Sequence, residues 1–128
     1  MMTARDTLSL RQFPIVVHSE CKNISHIYPL KQNAVAKVYS VASASDIVKK
    51  VYIFGSSVTG KCHIGSDLDI CIDADVSDGK KVYDLQKDIG EICNWNCDIL
   101  MFSNMGNKLK ETVQKEGVVI YEQFTSES

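Results

Sequence analysis

Segments with two different periodicities alternate along the chain, and their order limits the fold more than any other feature. Three segments have apolar residues at the spacing of a helix: 29–45, 77–93 and 104–116. Four shorter segments have the apolar runs or the alternation that are typical of strands: 51–54, 68–73, 97–102 and 118–121. Helices placed singly between short strands predict an α/β domain, in which a single small mixed β-sheet is flanked by helices.

The length of the chain fits one domain, because 128 residues leave little room for a second core. We expect the domain to occupy residues 29–122, followed by a frayed tail at 123–128. Residues 1–28 are an N-terminal extension of unclear role, where a short strand around 15–17 is suggested and is interrupted by Pro14. Gly117 is the expected stop of the last helix, and Trp95 is expected to be a packing anchor.

Composition restricts both the partners and the compartment. The formal net charge of −2 offers no general basic surface, so a nucleic-acid partner is not expected. Five cysteines at irregular spacing do not indicate a secreted disulfide framework. Residues 1–28 contain charged side chains and no long apolar run, so neither a signal peptide nor a membrane span is predicted. We therefore expect a cytoplasmic protein without a membrane partner.

A turn rich in small residues follows the first predicted strand. The apolar run 51–54 stops at Gly55, and Ser56 and Ser57 come directly after it. A turn without bulky side chains lets backbone N–H groups approach an anion. A phosphate-binding turn is one interpretation, and a plain connection from strand to loop is the other.

Carboxylates mark the next two predicted strands. Residues 68–73 alternate, which predicts a half-buried strand with Asp69, Cys71 and Asp73 on its polar side. Asp67 and Asp69 share that side, about 7 Å apart along the strand, where Mg²⁺ could lie between them. Asp98 falls in the apolar run 97–102, where an unpaired charge is costly. If these strands are neighbours, the three carboxylates and the turn predict a two-metal phosphoryl-transfer site. Solvent-exposed acids are the alternative.

The same residues carry a resemblance to a known family. Phe54-Gly55-Ser56, followed by Ser66-Asp67-Leu68-Asp69, resembles the signature of the DNA polymerase beta-type nucleotidyltransferase superfamily. The small single domain resembles its minimal nucleotidyltransferase branch, and the match covers about residues 29–122.

The resemblance implies a role for each matching position. Gly55 and Ser56 would hold the triphosphate of ATP or another NTP. Asp67 and Asp69 would bind two Mg²⁺ ions, and Asp98 would complete the second metal site and help activate the acceptor hydroxyl. Three further residues complete the candidate nucleotide-binding set: Ser57, Lys61 and Ser66.

The activity implied is transfer of a nucleoside monophosphate, with AMP expected, from an NTP to an acceptor hydroxyl. In this branch the acceptor is often a protein, and the domain often serves as the antitoxin of a HEPN-type toxin. An alternative is a non-catalytic module that binds a partner. It is favoured by Ser57, Val58 and Thr59, which stand where the family commonly has basic residues. A third function, transfer to a small molecule such as an aminoglycoside, would need an added domain or a dimer.

Overall fold

The elements of the fold follow the predicted order closely. The computed structural model describes residues 12–59 and 67–123, and element bounds within them are given in chain order. They are α1 (Pro29–Ala44), β1 (Val48–Phe54), α2 (Ser56–Thr59), β2 (Leu68–Ala74), α3 (Gly79–Ile92), β3 (Cys97–Met101), α4 (Asn107–Glu116) and β4 (Val118–Glu122). None of the helices in these two ranges combines the length and the apolar character that a membrane crossing requires.

The described strands form one mixed sheet, as the sequence predicts, and their order in the sheet is β3-β2-β1-β4. β1 lies at the centre and pairs antiparallel with both β2 and β4. β2 and β3 are parallel, and α3 makes the crossover between them. β3 therefore forms one edge of the sheet, and the central strand ends beside the start of β2.

Helices α1 and α3 cover one face of the sheet and pack against each other. Pro29 is the first residue of α1, a position where its missing N–H costs nothing. The Asp78 carboxylate caps α3 by accepting the backbone N–H groups of Lys80 and Lys81 at 3.1 and 3.3 Å. The apolar sides of both helices meet the fully buried side chains of β1 and β2, which include Ile53 and Ile70.

Helix α4 covers part of the opposite face, which corrects one prediction. Cys71 was expected on a solvent-facing side of β2, but it is fully buried against Tyr52 and Val113. The alternation of residues along a strand shows which side chains share a face of the sheet. Whether that face is covered depends on elements that are distant in the sequence, here on α4. Helix α4 begins three residues later than predicted, because Phe102–Asn104 form a turn of 3-10 helix.

Gly117 ends helix α4 as predicted, but for a different reason. Its φ of −75° is not left-handed. A Cβ at this position would contact the backbone carbonyl oxygen of Val113. Glycine is therefore needed for close backbone approach, not for backbone conformation.

Residues 12–28 pack on the domain without the suggested strand around 15–17. Their buried side chains, Cys21, Ile24 and Ile27, belong to the main core. The buried side chain of Gln32 on α1 fastens the segment. Its amide oxygen accepts the Val16 N–H at 2.8 Å, and its amide nitrogen donates to two carbonyl oxygens, Pro14 at 2.8 Å and Ile27 at 3.0 Å.

We expect Gln32→Leu to destabilise the domain. The substitution keeps the volume but removes the amide that makes the three hydrogen bonds. The buried Ile27 carbonyl oxygen then stays unsatisfied at a cost of about 1–3 kcal/mol, and the two part-buried bonds to Pro14 and Val16 are also lost. Urea unfolding followed by circular dichroism measures the effect, and Gln86→Leu, at a part-exposed position of α3, is the control. An unchanged unfolding midpoint for Gln32→Leu would contradict the role assigned to its side chain.

Candidate active site

Gly55 forms the turn at the end of β1 for two physical reasons. Its φ is 77°, in the left-handed region that residues with a Cβ rarely adopt. A Cβ on Gly55 would also collide with the Oδ2 atom of Asp69. The backbone of the turn therefore lies directly against this carboxylate. The short helix α2 follows, and the Val58 N–H donates to the Gly55 carbonyl oxygen at 3.1 Å.

The sheet register brings the carboxylates together at one edge of the site. The antiparallel pairing places Phe54 opposite Asp69, and the parallel pairing places Asp69 opposite Asp98. Neighbouring strands are about 4.8 Å apart, so the predicted proximity of Asp69 and Asp98 follows from the fold. Asp67 lies just before β2 and two residues from Asp69, on the same face.

Asp69 is the carboxylate in the least favourable environment. It is half-buried, and burial raises its pKa, with further contributions from the negative charges of Asp98 and then Asp67. For Asp98 the sequence left open a costly position in an apolar strand or a solvent-exposed one, and the side chain is exposed. The reason is that β3 is an edge strand and alternates between covered and open positions.

Pairs of these carboxylates fit the ligand preference of Mg²⁺ better than all three around one ion. Within the described ranges, no group of three His, Cys, Asp or Glu side chains is close enough to hold one metal ion. Mg²⁺ typically takes one or two protein carboxylates and completes its shell with water and substrate phosphates. The oxygen-only donors and the electrostatic coupling of Asp69 to Asp67 and Asp98 fit that pattern.

The predicted phosphate ligands occupy different environments. Ser56 is partly exposed at the start of α2, whereas Ser57 is fully buried. The Ser57 hydroxyl has no hydrogen-bond partner among the described residues, and its carbonyl oxygen accepts the Tyr28 N–H at 2.8 Å. Lys61 and Ser66, also predicted to bind the nucleotide, lie outside the described residues.

We expect Ser57→Ala to leave the domain as stable as the wild type, or to stabilise it by up to about 1 kcal/mol. A buried hydroxyl without a partner costs free energy, and alanine removes this cost with little loss of volume. Thermal unfolding without ligand measures the difference, with Ser56→Ala as the exposed control. A clear loss of stability in Ser57→Ala would show that the hydroxyl has a partner in solution.

Trp95 lies beside this site and differs from its predicted role. The side chain was expected to be a packing anchor, but 63% of its surface is exposed. The turn that carries it adjoins the carboxylates, because the Leu68 N–H donates to the Asn96 carbonyl oxygen at 3.1 Å. Sequence periodicity contains no signal for this proximity, which arises from the parallel pairing of β2 and β3.

Comparison with known proteins identifies the fold and the family. The family model for polymerase beta, nucleotidyltransferase, matches residues 36–125. Among solved structures, a toxin-antitoxin crystal structure with AMP-PNP aligns at a TM-score of 0.54 and 22% identity, covering 71% of this chain and 73% of that chain. A mutant of the toxin-antitoxin MntA-HpeT aligns at 0.53 and 20% identity, with the same coverage. No curated protein gives a significant match.

The residues that the family model matches include the whole sheet and the described part of the candidate site. The matched residues contain all four strands described above, together with the turn at Gly55 and the acids Asp67, Asp69 and Asp98. The family and the mixed sheet were both predicted from the sequence, and both are confirmed. The chain therefore belongs to the polymerase beta nucleotidyltransferase family.

Proposed function

We propose that this chain is a metal-dependent nucleotidyltransferase, which moves a nucleoside monophosphate from an NTP to an acceptor hydroxyl. The observation that carries the proposal is the position of Asp69. Its carboxylate lies against the backbone of Gly55 on one side and beside Asp98 on the other. A glycine turn and a set of neighbouring carboxylates on one edge are the parts that positioning and charge compensation of a triphosphate require.

Each residue of the candidate site that the structure describes has a role in the proposed reaction. The backbone N–H groups after Gly55 and the Ser56 hydroxyl bind the triphosphate as donors. Asp67, Asp69 and Asp98 would hold Mg²⁺, which compensates phosphate charge when bound. The acceptor hydroxyl approaches Asp98 from solvent, and an Oδ atom of Asp98 accepts its proton. The new bond joins the acceptor oxygen to the α-phosphorus, and pyrophosphate leaves.

We further propose that the donor is ATP and that the acceptor is a toxin protein of the HEPN type. One structure with the same fold contains a toxin-antitoxin with AMP-PNP, and the other is a toxin-antitoxin mutant. These complexes support a role as an antitoxin that transfers AMP to its partner in the cytoplasm. The four described cysteines are free thiols, which is compatible with that compartment.

One observation favours a second function, a partner-binding module without catalysis. Ser57 and Val58 hold buried positions where the family commonly has basic residues, so the described part of the turn offers backbone and hydroxyl donors without a cation. In this version, neutralisation of the toxin would need only contact. Neutralisation that persists in an Asp67→Asn/Asp69→Asn variant would favour the module.

Transfer of label from NTPs tests the proposed activity. The wild type is incubated with Mg²⁺, each α-³²P-labelled NTP in turn, and desalted cell lysate as the source of acceptor proteins. We expect ATP to label a protein band with the wild type and not with the Asp67→Asn/Asp69→Asn variant. Thermal unfolding with ATP and Mg²⁺ gives a second measurement, since a ligand at one hundred times its Kd stabilises the native state by about 2.7 kcal/mol. The absence of both label and thermal shift with every NTP would reject the enzyme.

A further inference from the structure

Trp95 and Tyr83 are the most exposed aromatic side chains among the described residues, at 63% and 64%. Together with Gln86, Lys87 and Ile99 they line a groove of about 310 Å³ between α3 and the edge strand β3. Exposed aromatic rings that share a groove are uncommon on the surface of a monomer, and they are characteristic of sites that bind another molecule.

The backbone holds Trp95 in this exposed position. Helix α3 ends in two consecutive left-handed residues, Asn94 with φ 54° and Trp95 with φ 60°. The Trp95 N–H donates to the Gly90 carbonyl oxygen at 2.7 Å. A Cβ on Gly90 would collide with the six-membered ring of Trp95, so the ring lies directly on the helix backbone. The left-handed region is costly for a tryptophan, and one side of the ring still faces solvent.

The groove and the proposed active site lie on opposite faces of one edge strand and meet at its free edge, because Asp98 and Ile99 are consecutive residues of β3. Ile99 follows Asp98 in β3, and Asn96 is hydrogen-bonded to Leu68, the residue between the first two carboxylates. β3 is an edge strand, so one row of its backbone N–H and C=O groups is free of sheet partners in the described part of the chain. A free edge next to pockets for side chains is a common way to bind an extended polypeptide.

The charges around the groove distinguish a polypeptide from a nucleic acid. Lys87 is the one cation among the described residues that line the groove, and its ammonium is paired with the Glu91 carboxylate at 3.1 Å. Asp98 is exposed on the other face of β3 and adds negative charge near the free edge of this strand. A nucleic acid needs cations for its phosphates, so this surface complements a neutral or basic segment with apolar side chains.

We propose that this groove and the free edge of β3 dock an extended segment of the acceptor polypeptide. An apolar side chain of the segment occupies the space between Tyr83 and Trp95, and its hydroxyl-bearing residue lies beside Asp98. The inference rests on the proposed nucleotidyl transfer, for which it supplies the acceptor-binding surface.

Fluorescence of Trp95 tests docking independently of catalysis, because Trp95 is the single tryptophan of the chain. The probes are short neutral synthetic peptides that contain one Tyr and a Leu at varied spacing from it. Matched peptides with Ser in place of Leu and a single-stranded oligoadenylate complete the set. We expect saturable changes in emission with Leu peptides of one preferred spacing. Equal responses to Ser peptides, a stronger response to oligoadenylate, or no response to any probe would overturn the proposal.

Variants locate the binding surface. Tyr83→Glu places a charge in the groove at an exposed position and should weaken peptide binding about tenfold or more, the usual effect of losing an aromatic anchor. Leu109→Glu, at an exposed apolar position on α4 outside the groove, is the control and should bind as the wild type does. Equal binding by Tyr83→Glu and wild type would also overturn the proposal.

Label transfer connects docking to the reaction. Trp95→Gly relieves the left-handed strain, so the fold and the thermal shift with ATP and Mg²⁺ should persist. We expect it to raise the peptide KM about tenfold or more with little change in kcat. An unchanged KM would reject this surface even if transfer occurs. If ATP gives neither shift nor transfer, the proposed activity fails, and the fluorescence result still decides whether the groove binds peptides.

Discussion

Replacing Asp69 with Asn should reduce nucleotidyl transfer by about a thousandfold, since loss of several kcal/mol of charge compensation lowers a rate by about tenfold per 1.4 kcal/mol. Asn keeps the size of the side chain and removes its charge. Asp69 is the half-buried carboxylate between Gly55 and Asp98, so no neighbouring acid can take its position. We expect the same substitution to stabilise the domain at neutral pH when metal and nucleotide are absent.

The gain in stability follows from the direction of the pKa shift. Burial and the neighbouring Asp98 and Asp67 raise the pKa of Asp69 in the folded state above its ordinary value of 3.8. Between these two pKa values the native state binds more protons than the unfolded state. The Asp69 contribution to stability therefore falls as pH rises through this window. The advantage of Asn over Asp should be largest above the folded pKa and vanish below 3.8.

Two measurements test these expectations together. Label transfer from ATP gives the rate, and urea unfolding in EDTA from acid to neutral pH gives the stability. Asp73→Asn, on the same side of β2 but farther from Gly55, is the control, and it should retain transfer. A stable and active Asp69→Asn variant would remove Asp69 from the proposed mechanism. An inactive variant that is less stable at neutral pH would contradict the raised pKa.

Gly55→Ala should destabilise the domain by at least about 1–2 kcal/mol, the cost of a left-handed residue with a Cβ, and should also abolish transfer. The added methyl group would occupy the space of the Asp69 carboxylate. Gly55→Ala should lower the free energy of unfolding, whereas Asp69→Asn should raise it at neutral pH, although both variants should lose activity. Gly79→Ala is the control, because a Cβ at Gly79 meets nothing within 4 Å.

A double-mutant cycle separates the two causes of the Gly55 effect. In an Asp69→Ala background the collision disappears, and the backbone strain remains. Gly55→Ala should therefore cost less in this background than in the wild type, with the difference equal to the coupling between the two positions. Equal costs in the two backgrounds, measured by urea unfolding, would show that the turn and the carboxylate are independent.

The parts of the fold that could be predicted are those governed by local periodicity. The proximity of Asp98 to the first two carboxylates was predicted on the condition that the two strands are neighbours, and the parallel pairing of β2 and β3 meets this condition. Burial of Cys71 could not be predicted, since it depends on which part of the sheet α4 covers. The sequence left the exposure of Asp98 open, because it depends on the place of β3 at the edge of the sheet. The exposure of Trp95 depends on the left-handed backbone of Asn94 and Trp95, which follow α3. The periodicity of the helix does not predict this backbone conformation.

The hydrogen bonds of Gln32 and Tyr28 have a consequence for how short a working domain can be. The region that the family model matches begins at residue 36, but Ile24 and Ile27 complete the core and the Tyr28 N–H holds the turn at Ser57. A protein trimmed to the family boundary would expose apolar core and release the turn that is proposed to bind the triphosphate. The smallest autonomous unit is therefore expected to be longer than the region that the family model matches, and cleavage upstream of α1 would act on the proposed nucleotide binding from a distance.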